Sequence, residues 1–151
     1  MTEFVKPQNV LLDISCASKA EALDLLSRKA VELGITEDYD AVRAAFDARE
    51  AEGSTGMMGG FAVPHAKSDA IAGAAVIVLR FADVVADWES IDGSDIMFAI
   101  ALLVPGAEAG TTHIQLLAKV ARALMDEEFR NVIRTADQPD QVSDVINARL
   151  D

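Results

Sequence analysis

Apolar positions recur along this chain with two different periods. Leu23, Leu26, Ala30 and Leu33 fall at 3-4-3 spacing, which draws one stripe down a helix. Ser18 and Glu21 in SKAE form a capping box that starts this helix, and Gly34 is placed to end it. A second helix is predicted from about residue 38 to 52, with Val42, Ala45 and Phe46 on its buried stripe. Residues 9–15 (NVLLDIS) read as a strand. So does the short apolar run 61–63, whose end at Val63 suits the extended geometry imposed on a residue before proline. Residues 74–81 (AAVIVLRF) and 95–104 (DIMFAIALLV) are almost unbroken apolar runs, as expected of strands covered on both faces. The segment 112–115 (THIQ) is a second capping box, and Ile114, Leu117, Ala121 and Leu124 follow it. Asp126 can cap a helix to about Thr135, and a last helix is predicted from near Pro139. Strands and helices interleave, and the short links around residues 82–95 allow antiparallel neighbours. The expected fold is therefore a single α/β domain over residues 1–151, with a mixed parallel/antiparallel sheet between helices on both faces.

Composition narrows the function. Thirteen Lys and Arg against 25 Asp and Glu give the 151-residue chain a formal charge of −12. Such a surface repels nucleic-acid phosphates and anionic lipid. The 51% apolar content is too high for a disordered chain. Residues 96–105 are too few to span a bilayer, and MTEFVKPQNV has no apolar signal core. Cys16 stands alone, so it predicts neither an internal disulfide nor a zinc site. With no internal repeat and no linker, the chain reads as a free-standing, soluble, cytoplasmic protein.

The candidate chemistry is sparse. His65 follows Pro64 directly after the irregular loop 53–60 (GSTGMMGG), a loop-tip position on a stiff approach. An ordinary surface histidine in a turn would look the same. His113 follows Thr112, the expected N-cap, which puts it in a first turn receptive to anions, though a chance placement fits too. Arg49 lies three and seven residues after Phe46 and Val42. It is either an arginine reaching a cleft beside the glycine loop or an edge arginine paired with Glu50 or Glu52. Lys67 adds a cation two residues from His65. There is no phosphate loop, dinucleotide fingerprint, HExxH or nucleophile elbow. A metal-dependent hydrolase built on His65, His113 and carboxylates has no ligand spacing to support it. Met57 and Met58 suit either core filling or an adaptable contact surface.

Residues 54–67 (STGMMGGFAVPHAK) resemble the active-site segment of the fructose/mannitol-type EIIA domains of the bacterial phosphoenolpyruvate-dependent sugar phosphotransferase system, T-G-(aliphatic)-x-x-G-(apolar)-A-(Ile/Val)-P-H. The likeness extends in order to ARE at 48–50, DWESIDG at 87–93, THIQLLAKVARALM at 112–125 and DEEF at 126–129. It implies that His65 accepts a phosphoryl group at Nε2 from phospho-HPr and passes it to a Cys or His of an EIIB domain. His113 would steady that group and Arg49 would neutralise its charge. The resemblance implies no metal and no organic cofactor, and contact with a membrane EIIC only indirectly. DWESIDG is most like the fructose-type members. Within the same family, a nitrogen-related branch keeps the histidine loop but acts by binding other proteins according to phosphorylation state. Met58 departs from the family's small residue or proline, and Gly59 from its usual polar residue. Glycine-loop N–H groups are expected to help hold the phosphoryl group.

Overall fold

The computed structural model describes residues 4–108 and 110–150. In chain order the elements are β1 (Val10–Ile14), α1 (Lys19–Glu32), α2 (Tyr39–Glu52), β2 (Phe61–Ala62), β3 (His65–Ser68), β4 (Ala75–Val85), β5 (Ile96–Pro105), α3 (Thr112–Leu124), α4 (Glu127–Thr135) and α5 (Pro139–Leu150). Single 3-10 turns occupy Pro7–Asn9 and Gly106–Glu108. Asn9, expected in the first strand, closes the first of these turns instead.

The sheet is mixed, as expected. β4 and β5 run antiparallel at its centre, from Ala75 opposite Leu103 to Val85 opposite Ile96. β1 lies parallel to β4 on one side, and β2 and β3 lie parallel to β5 on the other. Both faces of the central pair are buried, which explains their unbroken apolar runs. Val76, Val78, Ile100 and Leu102 face the buried side chains of α3, α4 and α5. Ile77, Leu79, Ala99 and Ala101 face those of α1 and α2. Helices therefore cover both faces, the expected α/β/α layering.

Local chemistry sets the helix ends. The Ser18 hydroxyl accepts the Glu21 N–H at 3.2 Å, while the Glu21 carboxylate takes the Ala17 N–H at 2.7 Å, one residue before the expected partner. Gly34, at φ +76°, ends the first helical segment. Asp38 and Asp126 cap α2 and α4. The start of α3 differs from expectation: its N-cap is Thr111, whose side chain makes no capping bond. Its inward face keeps the expected Leu124, fully buried, and Leu117, packed against the core, but is centred one position earlier. His113, Leu116, Val120 and Ala123 are buried, while Ile114 is 60% exposed. This displacement turns His113 toward the sheet. Among the described residues no helix is long and apolar enough to cross a membrane.

Candidate functional site

The edge of the sheet is interrupted at one place. Phe61 and Ala62 pair with Phe98 and Ala99, and pairing resumes with His65 opposite Leu102. Pro64, between them, has no N–H to give, but its carbonyl accepts the Leu102 N–H at 2.9 Å. On the outer side the Val63 N–H reaches the Thr55 carbonyl at 3.0 Å. His65 is therefore not at a loop tip. It opens β3, is only 4% exposed, and stands across the ladder from Leu102, whose side chain faces the α3 layer. There it meets His113, 9% exposed. The ring centroids are 4.9 Å apart and the planes 62° apart, an edge-to-face contact.

This environment holds both rings neutral at pH 7. Both nitrogens of His65 and Nδ1 of His113 are buried without a hydrogen-bond partner among the described residues. Burial is the main cause that pushes the His65 imidazole down to about 3, followed by the neighbouring His113, Arg49 and Lys67. The Val63 carbonyl pulls the other way but lies outside hydrogen-bond geometry. His113 is pushed down as well, by burial first and then by Lys67 and Arg49. A neutral imidazole keeps one nitrogen lone pair free for attack.

Two cations serve the pair. Arg49 sits in the last turn of α2, which packs along β3. Its Nη1 donates to the Gly53 carbonyl at 2.9 Å. Among the described residues no carboxylate forms an ion pair with it, so it is not the edge arginine paired with Glu50 or Glu52. Lys67 is exposed on β3. Glu50 instead accepts bonds from the Thr55 hydroxyl and, at 3.4 Å, the Thr55 N–H, and lies 3.6 Å from Lys19 Nζ. That buried carboxylate escaped the sequence reading. No periodicity links Glu50 to a threonine across a turn or to a lysine on another helix.

Most N–H groups of the glycine loop are already engaged within the protein. Gly56 gives its N–H to Ser54, Met57 to the Phe61 carbonyl, Gly59 to Asp92 and Gly60 to Ser94. The DWESIDGS segment thus clamps the loop. Gly56 lies so close to it that a Cβ there would stand 1.9 Å from the Glu89 carbonyl oxygen. Met57 packs on the core and Met58 is half-buried. Among the described residues, no three His, Cys, Asp or Glu side chains converge to hold a metal ion. What remains is a neutral, nucleophilic imidazole backed by a second imidazole, with two cations near enough to attract an anion.

Residues 3–149 match the family described as phosphoenolpyruvate-dependent sugar phosphotransferase system, EIIA 2. The chain is 35% identical to the fructose-specific EIIA component of Haloferax volcanii over 86% of this chain and 83% of that one. It is 31% identical to a nitrogen regulatory protein of Bradyrhizobium diazoefficiens over 97% of this chain and 94% of that one. It also matches the 2-O-alpha-mannosyl-D-glycerate-specific EIIABC component of Escherichia coli, at 32% identity over 94% of this chain but only 22% of that protein. The fold is that of the Escherichia coli mannitol enzyme IIA solved in complex with phosphorylated mannitol enzyme IIB. The TM-score is 0.79 at 21% identity, covering 95% of this chain and 97% of that one.

Proposed function

The chain belongs to the EIIA 2 family of the phosphoenolpyruvate-dependent sugar phosphotransferase system, and we propose that it is a cytoplasmic phosphocarrier in which residues 1–151 work as one unit with His65 as acceptor. The observation that carries this reading is the buried His65–His113 pair, neutral and unpartnered, with Arg49 and Lys67 beside it. The Nε2 lone pair of His65 attacks the phosphorus carried by phospho-HPr. As the new N–P bond forms, the bond from phosphorus to the donor breaks and its electron pair leaves with HPr. The proton on Nδ1 stays where it is, so no separate base is required. The phosphoryl group brings nearly two negative charges. Arg49 and Lys67 offset them, and His113 steadies the oxygens. Transfer onward to a Cys or His of an EIIB domain repeats the displacement with His65 as leaving group. The fructose-specific relative supports a fructose-type sugar at the end of the relay. The mannitol IIA–IIB complex supports EIIB as acceptor. The His65 nitrogens are closed off from water, so a docking donor has to displace the side chains that cover them.

Phosphoenolpyruvate, Enzyme I and HPr are mixed with the protein and the intact mass is followed, beside His65→Ala and His113→Ala. One added phosphoryl group, acid-labile and lost with His65→Ala, is the expected result. No addition to the folded protein from partners that phosphorylate another EIIA overturns the reading.

The nitrogen regulatory relative, similar over almost the full length of both chains, favours a second reading. There the phosphoryl group on His65 would control binding to regulated proteins rather than feed a sugar transporter. Phosphorylation by HPr without transfer to any EIIB, together with capture of a kinase or potassium transporter in only one phosphorylation state, would establish it.

A further inference from the structure

We propose that Lys19 is a positioning residue for this transfer: by neutralising the buried carboxylate of Glu50, it keeps the Arg49 guanidinium free for the phosphoryl group. The proposal rests on the carrier reading above.

Arg49 and Glu50 are neighbours in the last turn of α2, and their side chains leave the helix about 100° apart. They act on the two sides of the same turn. Arg49 holds the Gly53 carbonyl, and Glu50 holds the hydroxyl and N–H of Thr55. The Glu50 side chain is 5% exposed. A buried carboxylate at the border of an anion site opposes the site's purpose twice, because it repels the incoming phosphoryl oxygens and competes for the arginine. Two bonds from Thr55 occupy one lone pair on each oxygen but do not cancel its charge. Lys19 does. Its Nζ lies 3.6 Å from Glu50 Oε1, and its own backbone N–H is fixed by Asp87 at 2.8 Å. The cation therefore reaches Glu50 from an anchored point at the start of α1. Among the described residues the pair is complete without Arg49, which makes one bond to a carbonyl and has other N–H groups to offer an anion. Without Lys19, Arg49, the adjacent residue in the same turn of α2 and bound to no carboxylate among the described residues, is left to relieve Glu50.

The proposal is tested with Lys19→Met, Lys19→Arg and the double variant Lys19→Met/Glu50→Gln, each first checked for cooperative thermal unfolding. Transfer from phospho-HPr is expected to fall about 100-fold in Lys19→Met, as for a withdrawn charged donor. The loss should appear in kcat more than in KM. Lys19→Arg restores the charge, and the double variant removes the uncompensated carboxylate while keeping an acceptor for Thr55. Both are expected near the wild-type rate. The Arg49 Nε–Hε resonance, read without any donor, should move in Lys19→Met and return in the double variant. A Lys19→Met protein with the wild-type rate, or a folded double variant as slow as Lys19→Met, overturns the proposal. So does an Arg49 resonance indifferent to Lys19. Should Lys19→Met fail to fold, a slow Lys19→Arg or a slow double variant still overturns it. A wild type that takes no phosphoryl group overturns the carrier reading instead, and the resonance arm then judges the ion-pair arrangement alone.

Discussion

His65 and His113 pack edge to face at 4.9 Å with neither Nδ1 hydrogen-bonded within the described residues. Two imidazoles this close disfavour each other's protonation, and burial disfavours it further. A phosphoryl dianion placed on one of them reverses the balance for the other, because the nearest new charge is now negative. His113 is therefore expected to titrate at a higher pH in the phosphorylated protein than in the unmodified one. Proton NMR of its ring across a pH series, before and after phosphorylation, measures this, and identical titration curves would contradict a phosphoryl group at His65.

Stability should depend on pH in a defined direction. The His65 ring titrates at 6.5 when unperturbed and at about 3 in the fold. Between those values the unfolded chain binds the extra proton, so acid favours unfolding. Above about pH 6.5 this ring contributes no pH dependence. As pH falls from there toward 3, the stability of the wild type drops, and the depressed His113 adds a loss in the same direction. Urea midpoints measured from pH 7 to pH 4 are expected to fall more steeply for the wild type than for His65→Gln.

Arg49→Ala separates function from folding. The side chain makes one hydrogen bond, to an exposed carbonyl, so its loss should cost only about 1 kcal/mol of stability. Phosphoryl transfer should slow about 100-fold, as expected when a charged group that meets the developing anion is removed. Paired denaturation and transfer measurements decide it: a variant that only melts earlier, at an unchanged rate, refutes the assignment.

Arg80 is expected to behave in the opposite way. From β4 its Nη1 donates to the carbonyls of Ile133 and Ala136 at 3.0 and 2.8 Å, at the end of α4. Its Nε and Nη2 each reach Asp13 at 3.0 Å. Asp13, at φ +55°, is the one non-glycine residue with positive φ among the described residues, and it stands where the β1 register slips. Arg80→Met should cost about 3 kcal/mol by leaving several α4 carbonyls unpaired. Arg80→Lys should recover only part of that, because an ammonium cannot span both sets. Chemical denaturation gives the cost. Transfer rates measured well below the midpoint should be unchanged.

The α/β layering was legible because its signals are local. Unbroken apolar runs, capping residues and a 3.6-residue stripe each declare themselves within a dozen positions. The misreadings have long-range causes. HAKS, residues 65–68, has no strand pattern, and it is extended because β5 offers it a ladder from Leu102 to Pro105. Thr111 rather than Thr112 precedes α3, and that single step exchanges Ile114 for His113 on the inner face. The two histidines and Arg49 could be singled out from spacing and resemblance. The Lys19–Glu50 contact could not, since it joins two helices across 31 residues of chain. The glycine loop was recognised as irregular, but the Gly59 and Gly60 N–H groups are claimed by Asp92 and Ser94, side chains more than 30 positions away.

The broken outer edge bears on how copies of this protein meet one another in a crowded solution. An open β edge is a template for any extended chain. Here the border strand is cut into pieces of two and four residues by a proline. Thr55 and Gly56 bridge its first piece, α2 packs along the second, and Lys67 places a charge there. The border therefore offers an extended chain only short, interrupted stretches of backbone to pair with, although His65 stands on it.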